Sequence, residues 1–299
     1  MDIAVPGGIH CVLYALFDRR EQIDRGLMRA QIEAVLGAGV SGVTVLGLAT
    51  EVGKLTAAER LQLMQMAASD VAGRLPLSIT INGASVAEQI EHLRAAEDCG
   101  ADWLILQPPA IGPYPAAEYI DFFGRVADAA RKPVAIQNAP AYFGRGLTAA
   151  ELKSLLLRHP AIKIIKGEGP AVEIDQLIRT LGSSVPVFNG RGGLEMVDSL
   201  RAGCAGLILA PDLVDRAART YAAYKTGDVA GAEALYANSL PAIVFLMQSL
   251  ENLIVYGKRL FARRAGLGDV FDRGPSLRPT DLGLAIVERF AQQFGPFGP

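Results

Sequence analysis

The segment Ile162-Lys163-Ile164-Ile165-Lys166-Gly167-Glu168-Gly169-Pro170 decides how the rest of the chain reads. It begins as a short apolar strand and stops at a turn rich in glycine and proline. Alternation along a strand puts Ile162, Ile164 and Lys166 on one face, with Lys163 and Ile165 on the other. If the isoleucines face the interior of a closed barrel, Lys166 does too, at the C-terminal rim where the reactive groups of such barrels lie. An amine there loses hydration, which favours the neutral form that attacks a ketone. Glu168 follows two residues later in a tight loop, placed to act as a base or to orient one. Set against this, most Lys and Glu residues are ordinary solvated surface groups.

Working outward, further apolar runs recur at intervals suited to βα units: Cys11 to Leu16, Gly42 to Leu46, Leu77 to Ile81, Trp103 to Gln107, Pro133 to Gln137, Pro186 to Asn189 and Gly206 to Leu209. Together with the Lys166 strand they reach the eight that close a parallel barrel. Thr56-Ala57-Ala58-Glu59, Ser85-Val86-Ala87-Glu88 and Thr148-Ala149-Ala150-Glu151 each place a hydroxyl three residues before a carboxylate, the spacing of a capping box at a helix start. Pro115-Ala116 and Pro211-Asp212 open further helical stretches. The expected class is α/β, a (β/α)8 barrel with a C-terminal helical extension. Residues 1–211 carry the barrel through strand eight. Residues 212–299 hold the final barrel helix and two or three extra helices of the same structural unit.

A chain of 299 residues, 51% hydrophobic and 20% charged, suits one large barrel with no disordered segment. A net charge of -2 with interleaved signs offers no field for nucleic acid or an anionic membrane, so a small molecule is the expected partner. The N-terminal residues lack the pattern of a secretory signal and no run approaches ~18 uninterrupted apolar residues, which points to the cytoplasm. Cys11, Cys99 and Cys204 are widely separated in apolar surroundings and read as buried thiols of a reducing compartment. His10, His92 and His159 show no metal-ligand spacing, so neither a metal nor a histidine-centred triad is expected.

Other strand ends add candidates. Gln137 stands in phase with Ala135, a polar rim residue on an apolar strand, equally suited to a structural hydrogen bond or a substrate contact. Gly47-Leu48-Ala49-Thr50-Glu51 follows the second strand; small residues there let backbone amides approach a carboxylate, and Thr50 adds a hydroxyl. Asn189-Gly190-Arg191-Gly192-Gly193 after the seventh strand permits close approach to a ligand or is only a flexible turn, and Arg191 could pair with a neighbour. Tyr142 and Arg145 could touch the distal end of a substrate or only the barrel rim.

Taken together, these pieces resemble the dihydrodipicolinate synthase and N-acetylneuraminate lyase superfamily of Schiff-base barrels, from about Gly8 to Gly266. Gly47 and Glu51 match the ends of its G-T-T-G-E carboxylate loop, Ile165-Lys166 its imine-forming lysine, and Asn189-Gly190 its glycine loop of strand seven. The chain departs from dihydrodipicolinate synthase itself. Gln137 stands where that enzyme has a tyrosine before N-x-P, Leu48 and Ala49 replace its paired threonines, and Gln107-Pro108-Pro109-Ala110 lacks the tyrosine after strand four. An amide cannot shuttle protons as a phenol does. Gln-x-Ala-Pro followed by Lys-x-Glu is similar to the 2-keto-3-deoxy-sugar-acid dehydratases, L-2-keto-3-deoxyarabonate dehydratase in particular.

That resemblance implies Lys166, Glu168 and Gln137 as catalytic residues, with Gly47, Leu48, Ala49, Thr50, Asn189 and Gly190 binding the substrate, a 2-keto acid. It implies no metal or organic cofactor and a homo-oligomer, tetramer or dimer. The expected reaction is dehydration through a lysine imine. The alternatives are an aldolase that releases pyruvate through the same imine, and a keto-acid-binding barrel without turnover.

Overall fold

The structure is a computed structural model that describes residues 7–112 and 114–298. Eight strands alternate with helices: β1 (Gly8–Val12), α1 (Arg25–Leu36), β2 (Gly42–Val45), α2 (Ala57–Val71), β3 (Leu77–Ile81), α3 (Val86–Asp98), β4 (Trp103–Leu106), α4 (Ala116–Asp128), β5 (Val134–Asn138), a single turn α5 (Pro140–Phe143), α6 (Ala149–Arg158), β6 (Ile162–Gly167), α7 (Ala171–Leu181), β7 (Val187–Asn189), α8 (Met196–Arg201), β8 (Gly206–Leu209) and α9 (Val214–Lys225). The strands form one closed ring, each parallel to its neighbours, with β1 pairing both β2 and β8. The chain is the expected (β/α)8 barrel with C-terminal helices.

Two of the three capping boxes are complete, at Thr56/Glu59 and Thr148/Glu151. At the third, Ser85 accepts from the Glu88 amide, but the Glu88 carboxylate turns to the Ala84 amide at 2.7 Å. Pro115 is the residue that precedes α4 rather than its first member, and Pro211 opens a 3-10 turn (Pro211–Leu213) ahead of α9.

Most strand limits differ from those expected by a residue, but the first is a correction: β1 runs Gly8–Val12, not Cys11 to Leu16. The apolar run does continue, and Leu13 to Phe17 are fully buried. Pairing nevertheless stops, because the side chain of Gln31 on α1 takes the place of a neighbouring strand. It accepts from the Tyr14 amide at 3.0 Å and donates to the Tyr14 carbonyl at 2.9 Å. Hydrophobicity marks burial, and here burial outlasts the ladder.

Register and alternation sort the inward side chains into stacked rings, four from alternate strands in each. Lys166 pairs with Phe188 and Phe188 with Gly206, and with the stagger of a closed barrel the even strands bring Thr44, Ile105, Lys166 and Ile208 to one level. Val12, Thr80, Gln137 and Gly190 from the odd strands make the ring above. Below, His10 meets Trp103 and Phe188 edge-on, ring centroids 5.6 and 5.2 Å away, and plugs the barrel.

Beyond α9 lie α10 (Val229–Leu246), α11 (Leu250–Asn252), a π-helical turn (Leu253–Gly257), α12 (Lys258–Ala265) and α13 (Asp281–Phe294). By length and composition α10 would be apolar enough to cross a membrane; it contains Pro241 and buries Ala232, Ser239, Ala242, Ile243 and Leu246. The extension is tied to the barrel through buried polar groups. Arg264 of α12 pairs with Asp215 of α9, with both side chains 1% exposed, and also donates to the Asp212 carbonyl. The Tyr14 hydroxyl donates to the Asp212 carboxyl at 2.8 Å.

Two predictions follow the buried polar groups. Gln31→Leu strands the Tyr14 amide and carbonyl in the interior and is expected to cost about 2–5 kcal/mol, read from the denaturation midpoint in urea. Burial pushes the Asp212 carboxyl up to about 7, although the Tyr14 hydrogen bond opposes the shift. The folded protein therefore keeps a proton there that the unfolded chain releases near pH 4. The associated stability is complete below about pH 4, declines as pH rises through about 7, and amounts to a few kcal/mol at most. In Asp212→Asn the fall in melting temperature between pH 5 and pH 7.5 is expected to be shallower than in the unmodified protein.

Candidate active site

β5 and β6 position the Gln137, Lys166 and Glu168 side chains. Their ladder pairs Gln137 with Lys166 and Asn138 with Gly167, and the Glu168 amide extends it by donating to the Asn138 carbonyl at 3.1 Å. Ile164 and Lys166 pair with the inward Ala135 and Gln137, so the lysine lies inside the ring at 4% exposure; Ile162, before an irregularity in the ladder, pairs with the outward Val134 instead, and Lys163 is exposed. The Glu168 Oε1 is 2.9 Å from the Lys166 Nζ and accepts from the Gln137 Nε2 at 2.5 Å. These three side chains thus form one contiguous cluster. A carboxylate only accepts, so the Gln137 amide must turn its nitrogen to Glu168, which leaves Oε1 facing away without a partner among the described residues.

The glycine loop of strand seven supplies space. A β-carbon on Gly190 would lie 2.9 Å from the Glu168 Cγ and 3.0 Å from its Cδ. The carboxylate therefore rests where only a glycine leaves room. Asn189 faces elsewhere: it donates to the Gly169 carbonyl and the Ser199 hydroxyl and accepts from the Gly190 amide, so it shapes the loop.

Gly47 to Glu51 form the opposite lip. Leu48–Thr50 is a 3-10 turn, and the Thr50 and Glu51 amides close it onto the Gly47 and Leu48 carbonyls. The Leu48 and Ala49 amides belong to its first turn, where no acceptor within the helix exists. The Thr50 hydroxyl, expected as a substrate donor, is spent instead on the Leu13 carbonyl at 2.6 Å. Leu46 and Glu51, on either side of the turn, take left-handed backbone at φ 64° and 56°, and Arg191 does so across the barrel at φ 54°. Such strain in residues other than glycine clusters at functional sites.

Above Lys166 and Glu168 the cavity has a polar mouth and an apolar wall. Tyr142 and Arg191 stand at the mouth; Val12, Ile208, Leu209, Leu250 and Leu253 form the wall. Burial, reinforced by the charge of Glu168, pushes the Tyr142 phenol up to about 12, so it remains a proton donor at neutral pH. Arg191 pairs with Glu195 at 2.7 Å. Arg145 points away: it donates to the Phe143, Pro109 and Ile111 carbonyls and ties the loop after β4 to the loop after β5. The cysteines are free thiols, and burial holds Cys11 well above its ordinary range.

Glu51 and Lys258 escaped the sequence reading as a pair. The Glu51 carboxylate, its side chain wholly buried, takes ion pairs from Lys54 at 2.6 Å and from the equally buried Lys258. Burial pulls Lys258 down from its usual range while Glu51 opposes the shift. The only local signal is a lysine directly after the apolar Leu253 to Gly257.

An amine and a carboxylate buried together at the C-terminal face of an eight-stranded parallel barrel define the class of site. Residues 5–260 match the model of the Dihydrodipicolinate synthetase family, and the chain belongs to that family of lyases. It is 27% identical over 259 residues to the probable 2-dehydro-3-deoxy-D-pentonate aldolase YjhH of Escherichia coli K12, covering 83% of this chain and 85% of the relative. It is 30% identical over 233 residues to the putative 2-dehydro-3-deoxy-D-gluconate aldolase YagE of the same organism, covering 75% and 76%. The crystal structure of YagE in complex with pyruvate superposes with a TM-score of 0.87 at 25% identity, over 97% of this chain and 99% of that one. The L-2-keto-3-deoxyarabonate dehydratase of Azospirillum brasilense is 27% identical over 242 residues, covering 79% and 78%.

Gly190→Ala tests the packing of the site directly. The added carbon is expected to drive the Glu168 carboxylate off Lys166, seen as a longer Nζ to Oε1 separation in a crystal structure of the variant, with the barrel otherwise intact.

Proposed function

We propose that this protein is a Schiff-base lyase that dehydrates a 2-keto-3-deoxy sugar acid. The observation that carries the reading is the Lys166 amine inside the barrel, 2.9 Å from a carboxylate that Gln137 also grips. The substrate carboxylate lies over the Leu48 and Ala49 amides, and the Lys166 nitrogen adds to the C2 ketone with loss of water. The iminium draws electron density from C3, and Glu168 takes the C3 proton to give an enamine. The enamine expels the C4 hydroxyl, which leaves as water with the proton that Glu168 returns. Gln137 Oε1 accepts from the substrate hydroxyl or a water. Tautomerisation and hydrolysis of the imine release a keto-acid semialdehyde and restore the amine.

A second reading is cleavage between C3 and C4 to pyruvate and an aldehyde, which uses the same imine. What favours it is that two of the relatives are named as aldolases of 2-dehydro-3-deoxy sugar acids. Both readings take a small 2-keto acid as partner.

Borohydride reduction in the presence of pyruvate, followed by peptide mass mapping, tests the shared step: a reduced adduct on Lys166 is expected, and Lys166→Ala should abolish it. A modified residue other than Lys166 would sink the imine reading. The two reactions separate by product. Semialdehyde without pyruvate marks dehydration, whereas pyruvate detected by a coupled dehydrogenase marks cleavage. Glu168→Gln is expected to keep adduct formation yet lose roughly 10²–10⁴ of turnover, as removal of a general acid-base group does.

A further inference from the structure

Beside Lys166, the neighbouring strands β3, β4 and β5 each carry, within one residue of their C-terminal end, a buried polar side chain with an atom lacking a partner among the described residues: Thr80 Oγ1, Gln107 Nε2 and Gln137 Oε1. They are 1%, 4% and 1% exposed. Alternation turns all of them into the barrel, Thr80 in phase with Ser78 and Gln107 in phase with Trp103 and Ile105. Thr80 shares the ring of Gln137 and Gly190 directly above Lys166; Gln107 stands one level higher, toward the mouth. Thr80 also lies at the base of the carboxylate loop, since a β-carbon on Gly47 would come 3.8 Å from its hydroxyl. A buried polar atom left unpaired destabilises a fold, and native proteins hold few of them. Here they occupy consecutive strands on the side of the barrel away from the apolar wall.

We infer that Thr80 and Gln107 bind substrate: the β3 to β5 side of the cleft receives the oxygen-bearing edge of a hydroxylated 2-keto acid. This rests on the imine reading and names the substrate class of the same site. With C2 on Lys166 and C1 over the Leu48 and Ala49 amides, the Thr80 hydroxyl donates to the C1 carboxylate. Gln107, nearer the mouth, meets a hydroxyl farther along the chain, beyond the reach of three-carbon pyruvate. The three groups are neutral hydroxyl and amide, matched to hydroxyls rather than to a second anionic group. A site built to hydrogen-bond a hydroxyl discriminates strongly against the analogue without one.

Borohydride trapping at Lys166, with either pyruvate or 2-keto-3-deoxypentonate at varied concentration, tests this in the unmodified protein and in Thr80→Val and Gln107→Leu. In Thr80→Val the half-saturating concentration is expected to rise about tenfold for both ligands, with recovery in Thr80→Ser. In Gln107→Leu it is expected to rise about tenfold for the sugar acid and to stay unchanged for pyruvate. Both variants should melt no lower than the unmodified protein, because each removes an unpaired polar atom. Unaltered half-saturation in both variants, an equal loss for both ligands in Gln107→Leu, or a lowered melting temperature with unaltered binding would overturn the inference. If the unmodified protein forms no adduct with either ligand, the imine reading itself falls, a result separate from any difference between variants.

Discussion

A lysine and a glutamate held 2.9 Å apart, at 5% and 7% side-chain exposure, set the terms for everything around them. Taking two charges out of water costs several kcal/mol for each ion, and their attraction repays it only with good geometry and further hydrogen bonds. Stability alone would be served as well by two apolar residues, so the pair needs structural support. The barrel supplies it: the β5–β6 ladder runs on to the Glu168 amide, Gln137 adds a donor to the carboxylate, and Gly190 leaves it room. These contributions come from the ends of β5, β6 and β7, three strands that lie side by side in the barrel.

A second buried carboxylate governs the opposite lip. Left-handed backbone at Leu46 and Glu51 costs on the order of 1–3 kcal/mol each and persists only where the surroundings over-determine it. Glu51 is over-determined by Lys54 on one side and Lys258 on the other. Lys258 begins α12 directly after the π-helical turn, so the loop beside the site is anchored from the C-terminal extension. The same extension contributes Leu250 and Leu253 to the cavity wall, and the Leu253 carbonyl accepts from Tyr14. The extension is therefore part of the site.

The barrel was legible because its signals are local: apolar runs of strand length, capping spacings and turn residues repeat in step with the βα unit. The inward face of Lys166 was legible for the same reason, since alternation needs only its neighbours. What failed was partner choice. A hydroxyl at Thr50 and an amide at Asn189 have the chemistry of ligand groups, yet nearby backbone carbonyls claim both. The end of β1 was hidden because Gln31, on the following helix, stands in for a strand, and no periodicity within Cys11 to Leu16 records that. The pair of Glu51 and Lys258 spans most of the chain and leaves no trace in spacing.

The two glycines of the site carry an argument that motif reading gets half right. Small residues after β2 suggest a loop that wraps an anion with flexible backbone, and those after β7 a flexible turn, but Gly47 has φ -75° and ψ -176°, extended backbone that other residues adopt. The constraint the two glycines share is space. A β-carbon on Gly47 would stand 2.8 Å from the Val12 Cγ1, and one on Gly190 would meet the shaft of Glu168. Lacking side chains, they set how closely the β2 loop approaches β1 and where the carboxylate rests against β7. In a densely packed interior that separation decides whether an amine and a base share one cavity. Two residues without functional groups thus fix the geometry of those that have them.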